Sequence, residues 1–332
     1  MLRRHRLLLI ETAIVLRSAA SIDRRDLAAL VGAAVCWGSG TVVSKAALAE
    51  IAPVTLLAIQ LASSLAVLIG LMRWKGIPLR GDGPALLGRL GLLNPGAAYA
   101  LGLLGLVSIT ASVSVLLWAL EPIMIMFLAA IVLRERVTAT LIVLSIAAVI
   151  GIALVIYDAA SFGAETVGVT LALAGVACCA AYTVITRRYI PGARETGQVV
   201  LAQQAYAFAL ALVLVLIAVV AGGSPLPAAV SAVALASAVA SGVLYYAAAY
   251  WLYLGALRRV PASIAAGSFY LIPIVGVAAG SLVLGERLGP GQWLGAAIVL
   301  AAVLGILLRS SGVPAAIATA EAQRVEVRSG PA

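Results

Sequence analysis

Charge is scarce in this chain. Of its 332 residues only 11% are charged, while 64% are hydrophobic, and the mean hydropathy is +1.14. An ordinary soluble domain carries about 25% charged residues. So little charge cannot coat a water-soluble globule of this size, so the excess apolar surface must face lipid. A cytosolic enzyme, a secreted domain and a free nucleic-acid binder are thereby excluded. Histidine is scarcer still: His5 stands alone, outside every apolar run. Imidazole metal sites, Ser-His hydrolysis and histidine-ligated haem in the membrane fall with it. The three cysteines, Cys36, Cys178 and Cys179, lie inside apolar runs, and two are adjacent. They read as reduced small residues facing lipid or core, not as a disulfide or metal site. No Gly-x-x-x-x-Gly-Lys-Ser/Thr pattern occurs, which argues against direct ATP drive. Nothing implies a cofactor, and no stretch is long enough for a separate soluble domain.

What the chain has instead is a series of long apolar runs. A helix needs about 20 apolar residues to cross a bilayer core of roughly 30 Å. Such runs occupy 28–49, 53–73, 84–106, 109–133, 138–157, 166–187, 197–221, 228–256, 260–284 and 289–309. Backbone groups in lipid must pair within their own segment, and these runs are too long and continuous for barrel strands. The expectation is an all-α polytopic membrane protein of ten transmembrane helices. Short connections rich in Gly and Pro separate several of them, as at Pro191-Gly192 and Gly222-Gly223-Ser224-Pro225.

The basic residues predict direction. With the N-terminus in the cytoplasm, all but Lys45 and Arg287 of the 22 lysines and arginines fall on the inner side. Both termini are then cytoplasmic, and the net charge of +9 holds that face against anionic lipid. A bacterial-type inner membrane is the expected location. Residues 1–27 mimic a signal peptide, with Arg-Arg-His-Arg before Leu7–Leu16, but Glu11 interrupts the run. They read as a cytoplasmic lead-in. Residues 310–332 read as a cytoplasmic, disordered tail.

The sequence repeats itself. Residues 99–136 align without a gap on 250–287, matching Tyr99 with Tyr250, Ser112 with Ser263, Pro122 with Pro273, Glu135 with Glu286 and Arg136 with Arg287. Cys36, Thr41 and Val42 match Cys178, Thr183 and Val184. Two five-helix halves follow, 28–157 and 166–309. Five is odd, so the second half must cross in the opposite sense. An inverted five-plus-five repeat is characteristic of secondary transporters, whose substrate sits between the halves near the midplane.

Trp37-Gly38 midway along span one, Leu-Glu-Pro at 120–122, Leu-Arg-Glu-Arg at 133–136 and Leu-Gly-Glu-Arg at 284–287 carry a resemblance. In this order and frame the chain resembles the drug/metabolite transporter superfamily, in particular its EamA-type ten-helix exporters. YddG-type amino-acid exporters share that architecture. The resemblance covers about residues 28–309. It implies efflux of a small organic solute, amino acids or related metabolites foremost, by alternating access. Members often carry an arginine in span two, where this chain has Gln60, so no role of that arginine carries over. The competing classes are an integral membrane enzyme on lipid-linked substrates and a channel. The first would need acids, His or Cys clustered at one membrane face, and none is visible.

Glu121 is the sharpest single signal. A charge at mid-bilayer costs on the order of 3 kcal/mol or more unless paired, solvated or protonated. Such an acid either couples a proton or contacts a substrate amine, or it offsets the backbone gap left by Pro122. Its repeat partner is Ile272, so the site would be asymmetric. Lys45, near the end of span one, is a possible charge partner, or it snorkels towards Glu50. Trp37, beside Gly38 and Gly40, can line a cavity or pack. Asn94-Pro95-Gly96 in span three reads as a kink or gate, with Asn94 in need of a partner. Tyr246, Tyr250 and Tyr253 share one face of span eight, near Tyr245 and Trp251. That face fits an interfacial belt as well as an aromatic pocket for a zwitterion or organic cation. Tyr99 pairs by repeat with Tyr250, and Trp118 with Phe269. Tyr182, Tyr270, Gln203 and Gln204 complete the candidates. Glu135 and Glu286 read as charges at helix ends.

Overall fold

Local chemistry sets the helix boundaries in the computed structural model, which describes residues 23–80, 85–132, 139–157, 164–189, 196–224, 229–257 and 268–310. The segment with His5 and Glu11, Glu135, the Pro191-Gly192 turn, Ser263 and the tail from 311 lie outside the described residues. Asp23 caps α1 (Arg24–Ala47) by accepting from the Arg25 N–H. Proline opens α2 (Pro53–Trp74), where its missing N–H has no partner to lose. That helix ends at Gly76, whose φ of 67° lets the Ile77 N–H return to the Met72 carbonyl at 2.8 Å.

The third apolar run is broken. It comprises α3 (Ala85–Arg89), a 3-10 turn (Leu90–Leu92), a π segment (Leu93–Ala97) and α4 (Ala98–Leu106). Asn94 has an extended backbone inside it, with φ −142° and ψ 120°. The fourth run divides at Ala119–Leu120 into α5 (Ala111–Trp118) and α6 (Glu121–Val132). Then come α7 (Ala139–Tyr157), α8 (Ala164–Tyr189) and α9 (Thr196–Val220). The eighth run holds α10 (Ala232–Gly242), a second π segment (Val243–Ala248) and α11 (Ala249–Leu257). A 3-10 turn (Ser268–Tyr270), α12 (Leu271–Leu284) and α13 (Pro290–Ser310) complete the chain.

Among the described residues all regular structure is helical. Six stretches are long and apolar enough to cross a membrane: Arg24–Ala47, Pro53–Trp74, Ala111–Val132, Glu165–Thr186, Gly197–Val220 and Ala232–Tyr253. Ile142–Val155, Leu271–Leu284 and Pro290–Ala302 are apolar but shorter.

The packing is reciprocal. α1 lies against α10, α11 and α12, while α8 lies against α4, α5 and α6. The first long helix of each half therefore packs on later helices of the other. α2 and α9 pack together across the halves, and α7 pairs with α13. Two glycines permit the closest approaches. A Cβ at Gly242 would lie 2.5 Å from Gln60 Cα, and one at Gly91 2.5 Å from Gln203 Cα. Extended backward, the 99–136 alignment pairs Gly91 with Gly242. Gly242 directly precedes its π segment and Gly91 lies two residues before the other, within a 3-10 turn, so the two halves share a π break near the paired glycines.

Candidate functional site

Two aromatic clusters form where the halves meet. In the first, Tyr99 of α4 stacks on Trp118 of α5 with ring centroids 5.1 Å apart. Tyr245 and Tyr246 meet Tyr99 edge-on at 5.2 and 5.3 Å. In the second, Trp37 of α1 meets Tyr250, Tyr253 and Phe269 at 5.5, 5.6 and 5.4 Å. Tyr253 stacks on Phe269 at 4.9 Å. Both clusters draw residues from both halves, and side-chain hydrogen bonds join Tyr99 to Tyr245 and to Tyr250. The repeat partners divide: Tyr99 and Trp118 belong to one cluster, Tyr250 and Phe269 to the other.

Glu121 opens α6, after the turn that ends α5. Its Oε1 accepts from the Cys179 thiol of α8 at 3.1 Å. Its charge reaches Tyr245 in one cluster and Tyr253 in the other. Among the described residues no lysine or arginine contributes to its surroundings. Tyr99, Trp118, Glu121, Tyr245, Tyr250 and Tyr253 each keep part of their surface accessible. A carboxyl beside π faces and phenolic hydroxyls, without a competing cation, favours an ammonium or another organic cation with an apolar body.

A polar layer stands beside the rings. Tyr182 donates to Gln203 Oε1 at 3.0 Å, and Gln203 donates to the Leu87 carbonyl at 3.1 Å. Gln204 donates to the Tyr246 carbonyl at 2.9 Å and accepts from Ser64 at 2.6 Å. Gln60, on the opposing helix α2, donates to both Ser44 and Ser241 at 2.8 Å. Gln204 of α9 thus bonds the second π segment itself, and Gln60 of α2 bonds Ser241 just before it.

Some residues sit differently from the expectation. Lys45, a possible partner of Glu121, instead donates to the Leu106 and Val107 carbonyls at 2.7 and 3.0 Å. The unpaired carbonyls ending α4 are a nearer acceptor than an acid deep in another helix. Nor does Lys45 meet Glu50, which binds Ser231 at the start of α10. Asn94 is buried in its π segment against α9, with Oδ1 unpartnered, and no ring contact joins it to the clusters. The side chain of Tyr270 lies outside the described residues. Tyr246, Tyr250 and Tyr253 do not act as one face. Tyr246, within the π segment, meets the first cluster, while Tyr250 and Tyr253, on α11, meet the second.

Two members were overlooked in the sequence. Tyr245 meets the first cluster from that same π segment, whose geometry a 3.6-residue period conceals. Cys179 was taken for a small residue facing lipid or core; it is buried, but polar in its role. A cysteine one helix-turn from Tyr182 was the signal available for it.

Comparison with known proteins now bears on this geometry. The EamA-like transporter family matches residues 26–157 and again residues 166–308. The chain belongs to the EamA-like transporter family. As a member it is a multi-pass membrane transporter of small solutes, in a family of transporters and not of enzymes. No curated protein matches it. One solved structure, whose description names no activity, is similar with a TM-score of 0.58 and 19% identity, over 86% of this chain and 98% of the other. At that identity the likeness is one of fold.

Proposed function

We propose that the protein is a secondary transporter that exports a small organic solute carrying an amine, an amino acid or related metabolite, by alternating access between two inverted five-helix halves. The observation that supports this most is Glu121, within Coulomb range of a tyrosine in each ring cluster and bonded to the Cys179 thiol. A carboxylate accepts several hydrogen bonds, so a single weak thiol donor leaves capacity for an ammonium. Trp118, Tyr99 and Tyr245 would hold the apolar body on one side, and Trp37, Tyr250 and Tyr253 on the other. Asn94, Tyr182 and Phe269 would border the path. Glu121 would also exchange a proton, coupling export to a pH gradient across the inner membrane. Both termini face the cytoplasm in this reading, which the distribution of basic residues supports.

The test is uptake into proteoliposomes with a panel of labelled amino acids, with and without a pH gradient. We expect saturable uptake of at least one, stimulated by the gradient in wild type and not in Glu121→Gln. Transport by Glu121→Gln at the wild-type rate with the wild-type pH response would remove Glu121 from the mechanism. Ion conductance far above one solute per conformational cycle would indicate a channel.

A further inference from the structure

Two carboxylates tie the halves together at one end of the molecule. Glu286, in the turn after α12, accepts from the N–H groups of Ala111 and Ser112 at 2.7 and 2.9 Å and from the Ser112 hydroxyl at 2.6 Å. Those donors open α5, in the other half. Glu50, in the turn after α1, accepts from the Ser231 N–H and hydroxyl, both at 2.7 Å, just before α10. The first half thus lends an acid to a helix start in the second, and the second returns one. Lys45 marks the same end, bonded to the carbonyls that close α4 and within Coulomb reach of Glu286. The fit is close: a Cβ at Gly280 would lie 2.6 Å from Glu286 Oε2 and 2.9 Å from Ser112 Oγ.

Helix starts present unpaired N–H groups and a partial positive charge. A carboxylate placed there forms charge-assisted bonds, stronger than neutral ones. Water can replace those bonds when the helix start swings open, so the contact holds without being permanent. The Ser231 donors keep the Glu50 carboxyl below the usual carboxylate range, so it remains charged at neutral pH. The geometry also leads inward: Ser112 begins the helix that carries Trp118 and ends one turn before Glu121.

We propose that Glu286 and Glu50 form a two-point latch across the halves, which keeps the end of the molecule opposite the cytoplasmic termini closed and whose release admits solvent and solute to Glu121 from that side. Its purpose rests on the transporter reading above; its test does not, because it needs no substrate. Cys179, bonded to Glu121, reports on access. With Cys36→Ser and Cys178→Ser in the background, it is the only thiol, and a membrane-impermeant sulfonated maleimide is added to intact cells. The parent should label slowly. Glu286→Ala should label about tenfold faster, the change that about 1.4 kcal/mol makes in an open population. Glu50→Gln should show a smaller increase, since its contact is exposed. Labelling from the other side, in inside-out vesicles, should not rise. An unchanged rate in intact cells overturns the latch, and so does an equal rise from both sides, which would mean general loosening. If Glu286→Ala fails to reach the membrane, Ser112→Ala carries the test. It removes one of the three bonds and should give a smaller rise on the outer side only; no rise overturns the proposal. A latch that fails this test leaves the uptake experiment unaffected, and the reverse also holds.

Discussion

Glu121 and Glu286 are both carboxyl groups at contacts between the halves, and their surroundings are opposite. Glu286 takes two backbone N–H groups and a hydroxyl at the start of α5. Glu121 takes one thiol and lies within Coulomb range of Tyr245 and Tyr253. The first is supplied with donors at a helix terminus, as a structural anion should be. The second is left with acceptor capacity. An acid buried among weak donors is poorly explained by stability, because desolvation costs more than one thiol bond returns. Under the proposed function, the difference separates an acid that holds helices together from one kept available for a ligand.

Substitution by glutamine should widen that contrast. Glu121→Gln keeps shape and removes charge. We expect transport of the solute identified in proteoliposomes to fall by about 100-fold or more, the scale of removing one charge-assisted contact of roughly 3 kcal/mol. Thermal stability of the detergent-solubilised protein should change little. A large drop in melting temperature with preserved transport would reverse the roles of the two acids.

For Glu286→Gln the weight shifts to stability. An amide oxygen can keep one N–H bond but loses the charge that strengthens all three. A loss of about 1.5–3 kcal/mol is expected, since bonds to charged groups contribute on that order. It is read as a lower melting temperature of the solubilised protein. Transport, normalised to folded protein, should stay within a few-fold of wild type. If transport is abolished and stability kept, Glu286 belongs with the site and not with the frame.

Much of the frame was legible because its causes are local. Apolar runs, proline at the start of α2 and glycine at its end follow from neighbouring residues, and the repeated Pro122/Pro273 and Glu-Arg pairs carried the family. Trp37, Tyr99, Trp118, Glu121 and Tyr250 stood out because polar or large side chains are costly or conspicuous in an apolar helix. The partners were not legible. Glu286 was read at its own helix end, whereas it binds a helix start far away in sequence. Lys45 was offered to an acid and took two carbonyls. Tyr246 and Tyr250 join different clusters, and the π segment that holds Tyr246 takes a bond from Gln204, on a helix distant in sequence. Periodicity assumes a regular helix, and this site is built where the helix is irregular.

Cys179 offers the finest cut between the two acids, because among the described residues it is the one donor bonded to Glu121, where three donors are bonded to Glu286. The thiol is a weak donor, so its loss should be felt modestly and in one respect. Cys179→Ala removes the bond and leaves Glu121 less well oriented between the clusters; a loss of about 0.5–1 kcal/mol corresponds to a two- to fivefold rise in KM. Maximal rate should hardly move, since the carboxyl itself remains. Cys179→Ser restores a hydroxyl donor at nearly the same place and should bring KM back towards wild type. A role in packing alone would predict another pattern: serine, smaller and more polar than cysteine, would then do no better than alanine. Equal KM in wild type and Cys179→Ala would mean that Glu121 needs no orienting partner, and the contrast with Glu286 would rest on burial alone.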